Sequence, residues 1–281
     1  MSWNPQKALS AIRKCIDNIN DNRNNNNGKL EIHTKYDKSL VTNIDNSNEA
    51  ILRECLEQDG DLFLGEESVS KISKKRFGEI LKGNAYIVDP IDGTAPFAHR
   101  FPLWAISVGY SEQGKITNGC IVLPDMHEAY ISIGDDVLFT NDLNAPLETW
   151  QKLPQPAMKW SVGAMIITGQ DFTRNHKLRF KNPILSPGSA VMSFAALLSG
   201  KAIAYVGNMK LWDVAGSIPL LNRMGFSIRM RDSGKCFKGL ISPQFFDLSF
   251  PNPTWAFISE ITCTGIRRQA ALERLLAREN Q

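Results

Sequence analysis

In Ala85-Tyr86-Ile87-Val88-Asp89-Pro90-Ile91-Asp92-Gly93-Thr94 an apolar run meets two aspartates, a proline and a glycine. The run up to Val88 reads as a buried strand that leads into a loop. Pro90 fixes one backbone angle, and Gly93 opens conformations closed to other residues, so the chain can turn sharply. Asp89 and Asp92 can then aim at one point, joined by the Ile91 carbonyl. Such oxygens are the hard ligands that Mg²⁺ prefers. The amides of Gly93 and Thr94 suit a phosphate oxygen if a helix begins there. Taken alone, Asp92-Gly93 is an ordinary turn.

Two further acidic stretches also sit where an element ends. Gly65-Glu66-Glu67-Ser68 follows the apolar Leu62-Phe63-Leu64, and Trp212-Asp213-Val214-Ala215-Gly216 places Asp213 at the start of a helix. Singly, the first is a solvated turn and Asp213 is a helix cap. Three such stretches in one chain point to a shared cation.

The surrounding pattern mixes helices and strands. Leu9, Ile12, Ile16 and Ile19 share one side of a helix over residues 8–19, which ends in Asn24-Asn25-Asn26-Asn27-Gly28. Residues 30–34 alternate as a strand. A second helix begins near Asp45, with Ala50, Ile51, Cys55 and Leu56 facing inward. Residues 104–110, 115–122 and 128–133 predict antiparallel strands, the first pair joined at Glu112-Gln113-Gly114. The Pro- and Asn-rich residues 141–159 divide a single domain into halves of about 1–143 and 144–281. Beyond lie a strand over 162–168, a helix over 190–198 and a strand over 202–206. A helix over 213–224, strands near Ser227 and over 255–259, and a closing helix over 266–278 complete the chain.

A length of 281 residues with 43% hydrophobic content suits one large domain. The net charge of +3 lacks the concentrated basic stripe of a nucleic-acid binder. Five scattered cysteines without a CxxC pair predict reduced thiols and a cytoplasmic protein. No run approaches the ~20 apolar residues that span a bilayer. The four histidines have no metal-binding spacing, and Ser189 lacks a nucleophile-elbow context.

The three acidic stretches, in this order and spacing, resemble the inositol monophosphatase family of the lithium-sensitive sugar-phosphatase superfamily. Asp37, Ser39, Asp45, Glu49, His99-Arg100-Phe101-Pro102 and Gly188-Ser189-Ala190 add to the likeness. The resemblance runs from about Lys35 to Met224. It implies an α+β fold, a layered αβαβα sandwich of two subdomains with the active site between them, and a homodimer. It implies a phosphoric monoester hydrolase, with two to three Mg²⁺ per site and a small phosphorylated metabolite as partner. Glu66, Asp89 and the Ile91 carbonyl would hold a first ion, and Asp89, Asp92 and Asp213 a second. Thr94, oriented by Asp45, would position the attacking water with Glu66, while Gly93, Thr94, Asp92, Gly188, Ser189 and Asp213 would contact phosphate or substrate.

The chain departs from the family at Ala95-Pro96, at Leu185 in place of an arginine, and at Val206 in place of an inositol-gripping glutamate. These changes turn the expected substrate toward a polyol, sugar or amino-alcohol phosphate. Histidinol-phosphate, fructose-bisphosphate and 3′-phosphonucleotide phosphatases are rival readings, and a non-catalytic, metal-binding regulatory protein is a rival of another class. Lys210-Leu211-Trp212-Asp213 is similar to histidinol-phosphate phosphatases, although Lys210 also reads as a plain exposed lysine.

Overall fold

The computed structural model describes residues 3–25, 30–35, 40–58, 60–156, 159–178 and 180–277. Asp37, Ser39, Asn26, Asn27, Gly28 and Arg278 lie outside the described residues. The helices are α1 (Pro5–Asn25), α2 (Asn43–Leu56), α3 (Lys74–Lys82), α4 (Thr94–Ala98) and α5 (Gln170–Asn175). They continue as α6 (Ala190–Leu198), α7 (Leu211–Ala215), α8 (Ile218–Arg223) and α9 (Gln269–Ala277). A hairpin of β1 (Ile32–Thr34) and β2 (Leu40–Thr42) stands apart from the main sheets.

Among the described residues the other strands form two sheets. The first runs in chain order: β3 (Leu62–Gly65), β4 (Asn84–Asp92), β5 (Ala105–Glu112), β6 (Lys115–Leu123), β7 (Glu128–Ile133), β8 (Asp136–Thr140) and β9 (Gln151–Lys152). Only β3 and β4 pair in parallel there. The second sheet uses β10 (Ile166–Thr168), β11 (Ile184–Leu185), β12 (Ala204–Gly207), β13 (Phe226–Met230), β14 (Cys236–Phe237) and β15 (Ile261–Gly265). Its order is β11-β10-β12-β15-β13-β14.

Period-two alternation builds the layers. Along β4, Tyr86 and Val88 face an outer core shared with α1 and α2, while Ala85 and Ile87 face an inner core. The inner core holds α6, α7 and α8 between the two sheets, and α5 and α9 cover the far face of the second sheet. The order is helix, sheet, helix, sheet, helix: the expected α+β sandwich.

Several boundaries differ from expectation for physical reasons. Helix α1 continues past Ile19 to Asn25. The helix over 213–224 is two helices, because Pro219 has no amide to donate and its ring clashes with the carbonyl four residues earlier. The strand over 255–259 is reduced to isolated bridges, since Trp255 has φ 62°, outside any extended conformation. The closing segment begins with a 3₁₀ turn over Ile266–Arg268 before α9.

Glycine permits the approach of α7 to the first sheet. A Cβ on Gly109 of β5 would lie 2.6 Å from the Ala215 backbone, so a side chain there must push α7 away. Gly109→Ala is expected to cost about 1–3 kcal/mol in urea-induced unfolding. It should also weaken divalent-cation binding in calorimetry, because α7 carries Asp213.

Candidate active site

A regular strand would send Asp89 and Asp92, three residues apart, to opposite faces. The β4–β5 ladder prevents this. Asp89 pairs with Ser107 but Asp92 pairs with Ala105, so β4 carries one extra residue at Pro90-Ile91. Val88 and Ile91 consequently both face the outer core. Asp89 and Asp92 are both turned the other way, toward Asp213. The strand thus continues through Asp92 rather than ending in a loop at Val88. Gly93 follows at φ 91°, and a Cβ there would come within 2.9 Å of the Leu103 carbonyl and of Ser189.

Asp92 reaches across to the second half of the chain. The Ser189 hydroxyl donates to its Oδ2, as does the Val191 amide at 2.6 Å, while the Ala190 amide donates to Oδ1 at 3.3 Å. These donors form the N-terminus of α6, where partial positive charge favours an anion. Ser189, expected to contact phosphate, therefore spends its hydroxyl on Asp92. Asp213 is the third residue of α7 rather than its first, and its Oδ2 accepts the Lys210 amide at 2.8 Å. It is a helix cap and a member of the acidic cluster at once. One carboxylate oxygen each from Asp89, Asp92 and Asp213 lies within 4.8 Å of the others.

Glu66 flanks this group on the turn after β3. Lys35 bridges it to Glu67, with Nζ at 3.0 Å from Glu66 and 2.7 Å from Glu67. Burial opposes the ammonium charge, but the two glutamates outweigh it and hold the Lys35 pKa above its ordinary value. Glu49 of α2 fixes the same turn by accepting the Glu67 amide at 2.6 Å. Its carboxylate occupies the space a Cβ on Gly65 would fill, at 2.3 Å. Lys35 was not singled out by the sequence reading, because a lone lysine carries no pattern.

Thr94 opens α4, as the phosphate reading required. Its hydroxyl lies 3.1 Å from Asp45 Oδ1 and 3.2 Å from the Ile91 carbonyl. Asp45 is buried, and its Oδ2 accepts the Thr42 amide and hydroxyl at 2.8 and 2.5 Å. Pro96 falls in the first turn of α4, where its missing amide would have no helical acceptor. Leu185 lies on the edge strand β11, and Val206 is fully buried in β12. None of these three departures displaces an acidic group.

Burial raises every carboxyl group of the cluster that shifts. Asp45 and Asp92 are each pushed up to about 6 by desolvation, and Glu67 to about 7 by desolvation and the charge of Glu66. Asp89 and Asp213 also stand well above the ordinary value: burial is the chief cause, then the charges of Glu66, Asp92 and Asp213 on Asp89 and of Asp92 and Glu66 on Asp213. Buried like charges with oxygen-only donors fit a hard divalent cation, which would remove the repulsion.

A cavity of about 170 Å³ adjoins the cluster, bordered by Asp92, Gly188, Ser189, Gln170, Asn208 and Asp213. Gln170 and Asn208 border it without having been singled out as site residues. A larger cavity of about 700 Å³ lies beside α1, near Arg23 and Asp125, and touches none of the three clustered aspartates.

A layered α+β sandwich thus brings three aspartates together beside Thr94, and comparisons with known proteins give its family. The profile described as the inositol monophosphatase family matches residues 6–242. The inositol-1-monophosphatase of Bacillus subtilis is 31% identical over 214 residues, covering 70% of this chain and 74% of that one. Extragenic suppressor protein suhB from Bartonella henselae superposes with a TM-score of 0.70 at 22% identity, over 96% and 95% of the two chains. An IMPase/NADP phosphatase complexed with Mg²⁺ and phosphate gives 0.67 at 19% identity, over 95% of each chain. The chain belongs to the inositol monophosphatase family and is a phosphoric monoester hydrolase. No described helix is long and apolar enough to cross a membrane.

A carboxyl group with a raised folded pKa favours folding below its unfolded pKa, and that contribution is lost as pH rises through the folded value. Without metal, the cluster therefore destabilises the protein above about pH 6, judged from Asp45 and Asp92. Asp89→Asn removes one repelling charge while keeping an oxygen for the Ile91 amide. Thermal melts of the metal-free variant should show a higher Tm at pH 7.5, by about 2–4 °C per kcal/mol relieved, and little change at pH 4.5. Mg²⁺ should raise the Tm of the wild type but not of this variant.

Proposed function

We propose that the protein is a Mg²⁺-dependent phosphomonoesterase for a small phosphorylated polyol, sugar or amino alcohol. The observation that carries this reading is the meeting of Asp89, Asp92 and Asp213 beside the Thr94–Asp45 pair. Asp89, Asp92, Asp213, Glu66 and the Ile91 carbonyl would hold the metal, two to three ions in all. When bound, Mg²⁺ screens the carboxylates from the phosphate and polarises the phosphoryl group.

The chain's own groups account for the proton traffic. Thr94 donates to Asp45 or to the Ile91 carbonyl, which leaves its oxygen free to accept a hydrogen bond from a water. Asp45, with a pKa of about 6, is placed to take the proton through Thr94 as that water attacks phosphorus. A new P–O bond forms, the ester P–O bond breaks, and solvent protonates the alkoxide. No covalent phosphoenzyme is needed. The open start of α4 offers the Gly93 and Thr94 amides to the phosphate. Asp92, held rigidly by α6, keeps its oxygens pointed into the cavity border.

The family likeness further supports inhibition by lithium at about millimolar concentration, a homodimer and a cytoplasmic setting. The departures that favoured a non-catalytic protein lose force, because Pro96, Leu185 and Val206 leave the acidic groups in place.

Two variants test the reading in a phosphate-release assay over a panel of metabolite esters. Thr94→Ala should lower kcat by about 10²–10⁴-fold with a folded protein. Asp92→Asn should abolish the Mg²⁺ dependence along with turnover. Full activity in Asp92→Asn, or equal activity in chelator, would sink the proposal.

A further inference from the structure

We propose that the Tyr205 hydroxyl is a catalytic donor, giving a hydrogen bond to the ester oxygen as it leaves phosphorus. This rests on the phosphomonoesterase reading and adds a group at the far side of the reacting phosphate. Thr94 stands on the side of the attacking water, and in-line displacement sends the leaving oxygen to the opposite side. Asp92 and Asp213 border the cavity of about 170 Å³, whereas Thr94, Asp45, Glu66 and Asp89 do not. The departing oxygen therefore faces that cavity.

Among the described residues four hydroxyl groups belong to its border: Thr168, Ser189, Ser193 and Tyr205. Three have their protons committed. Ser189 donates to Asp92, and Ser193 donates to the Ser189 carbonyl at 2.7 Å. Thr173 donates to the Gly169 carbonyl at 3.1 Å, which leaves Thr168 to donate to Thr173 at 2.8 Å. Tyr205 is different. It is 2% exposed, yet its hydroxyl reaches only the Asn208 carbonyl at 3.5 Å, well beyond the usual length of about 2.7–2.8 Å. A buried donor so weakly satisfied is available to an acceptor that enters the cavity.

The fold fixes where this hydroxyl lies. Tyr205 sits in β12 between Ile167 of β10 and Cys263 of β15, with the Phe194 ring 5.4 Å from its own. A Cβ on Gly207 would come within 2.6 Å of the hydroxyl oxygen, and one on Gly169 within 3.0 Å. The two glycines thus clear the space that the hydroxyl occupies. Gly169 and Asn208 both border the cavity, so the oxygen sits at its wall.

Burial, then the charges of Asp213 and Asp92, hold the phenol above its ordinary pKa. The group stays protonated at neutral pH and donates without titrating. In hydrolysis water adds to phosphorus, and the ester P–O bond breaks with its electron pair on the alcohol oxygen. Solvent supplies the proton that this oxygen finally keeps. The bond from Tyr205 strengthens as negative charge grows there, so it favours the transition state over the bound ester.

Two esters test this with purified enzyme and Mg²⁺. One is the alkyl phosphate turned over fastest in the metabolite panel, whose alkoxide is a poor leaving group. The other is p-nitrophenyl phosphate, whose phenolate needs little support. Tyr205→Phe should lower kcat on the alkyl ester by about 10²-fold, with little change in KM, and on the aryl ester by only about threefold. A merely structural role would lower both alike. Gly169→Ala, whose Cβ crowds the hydroxyl, should show the same bias toward the aryl ester, and it decides the question if Tyr205→Phe does not fold. Equal losses on the two esters, or no loss on the alkyl ester, overturn the inference and leave the phosphatase reading intact. Absence of release from every ester by the wild type, p-nitrophenyl phosphate included, overturns both.

Discussion

Mutual repulsion among buried carboxylates is the constraint that the rest of the structure answers. One oxygen each of Asp89, Asp92 and Asp213 comes within 4.8 Å of the others, and burial of Asp89 and Asp92, with partial burial of Asp213, strips away much of the water that would screen them. A chain under no other demand would let them swing apart. Here each is pinned by backbone donors or by the ladder itself. Asp89 accepts the Ile91 amide, Asp213 accepts the Lys210 amide, and Asp92 is held by the start of α6. The fold thus holds an unfavourable arrangement of like charges that a divalent cation would relieve.

The acidic centre was legible where its chemistry is compressed into a few residues. Asp89-Pro90-Ile91-Asp92-Gly93-Thr94 holds two of the three clustered aspartates and the turn beside them in six consecutive residues. Layer order followed from the resemblance, since the apolar pattern alone indicated mixed α and β layers without a topology. What stayed hidden depends on parity or on distance along the chain. One additional residue in β4 decides which face Asp92 takes, and no local pattern announces such a bulge. The bond from Ser189 to Asp92 joins residues 97 apart. Lys35 is one lysine among many until the fold sets it between Glu66 and Glu67. The break between α7 and α8 was different: Gly216 and Pro219 signalled it, but the apolar periodicity through both segments masked the signal.

Lys35 places a cation of the chain's own at the outer edge of the same group of charges. Its single ammonium offsets part of the charge of two glutamates that repel each other at the rim. Glu49, from beneath, orients the turn that bears them. Among the described residues no ion pair reaches Asp89 or Asp92, whereas Lys210 lies near enough to Asp213 to favour its charge, so internal compensation is greater at the edges of the cluster than at its centre.

The attachment of Asp92 to α6 also limits how the molecule can move. Asp92 belongs to the first sheet and its three donors to the helical layer that the second sheet covers. Parting these layers would strip a buried carboxylate of hydrogen bonds worth about 1.5–3 kcal/mol apiece. The cleft therefore behaves as a riveted joint rather than a hinge, and a ligand must fit the aperture as it stands.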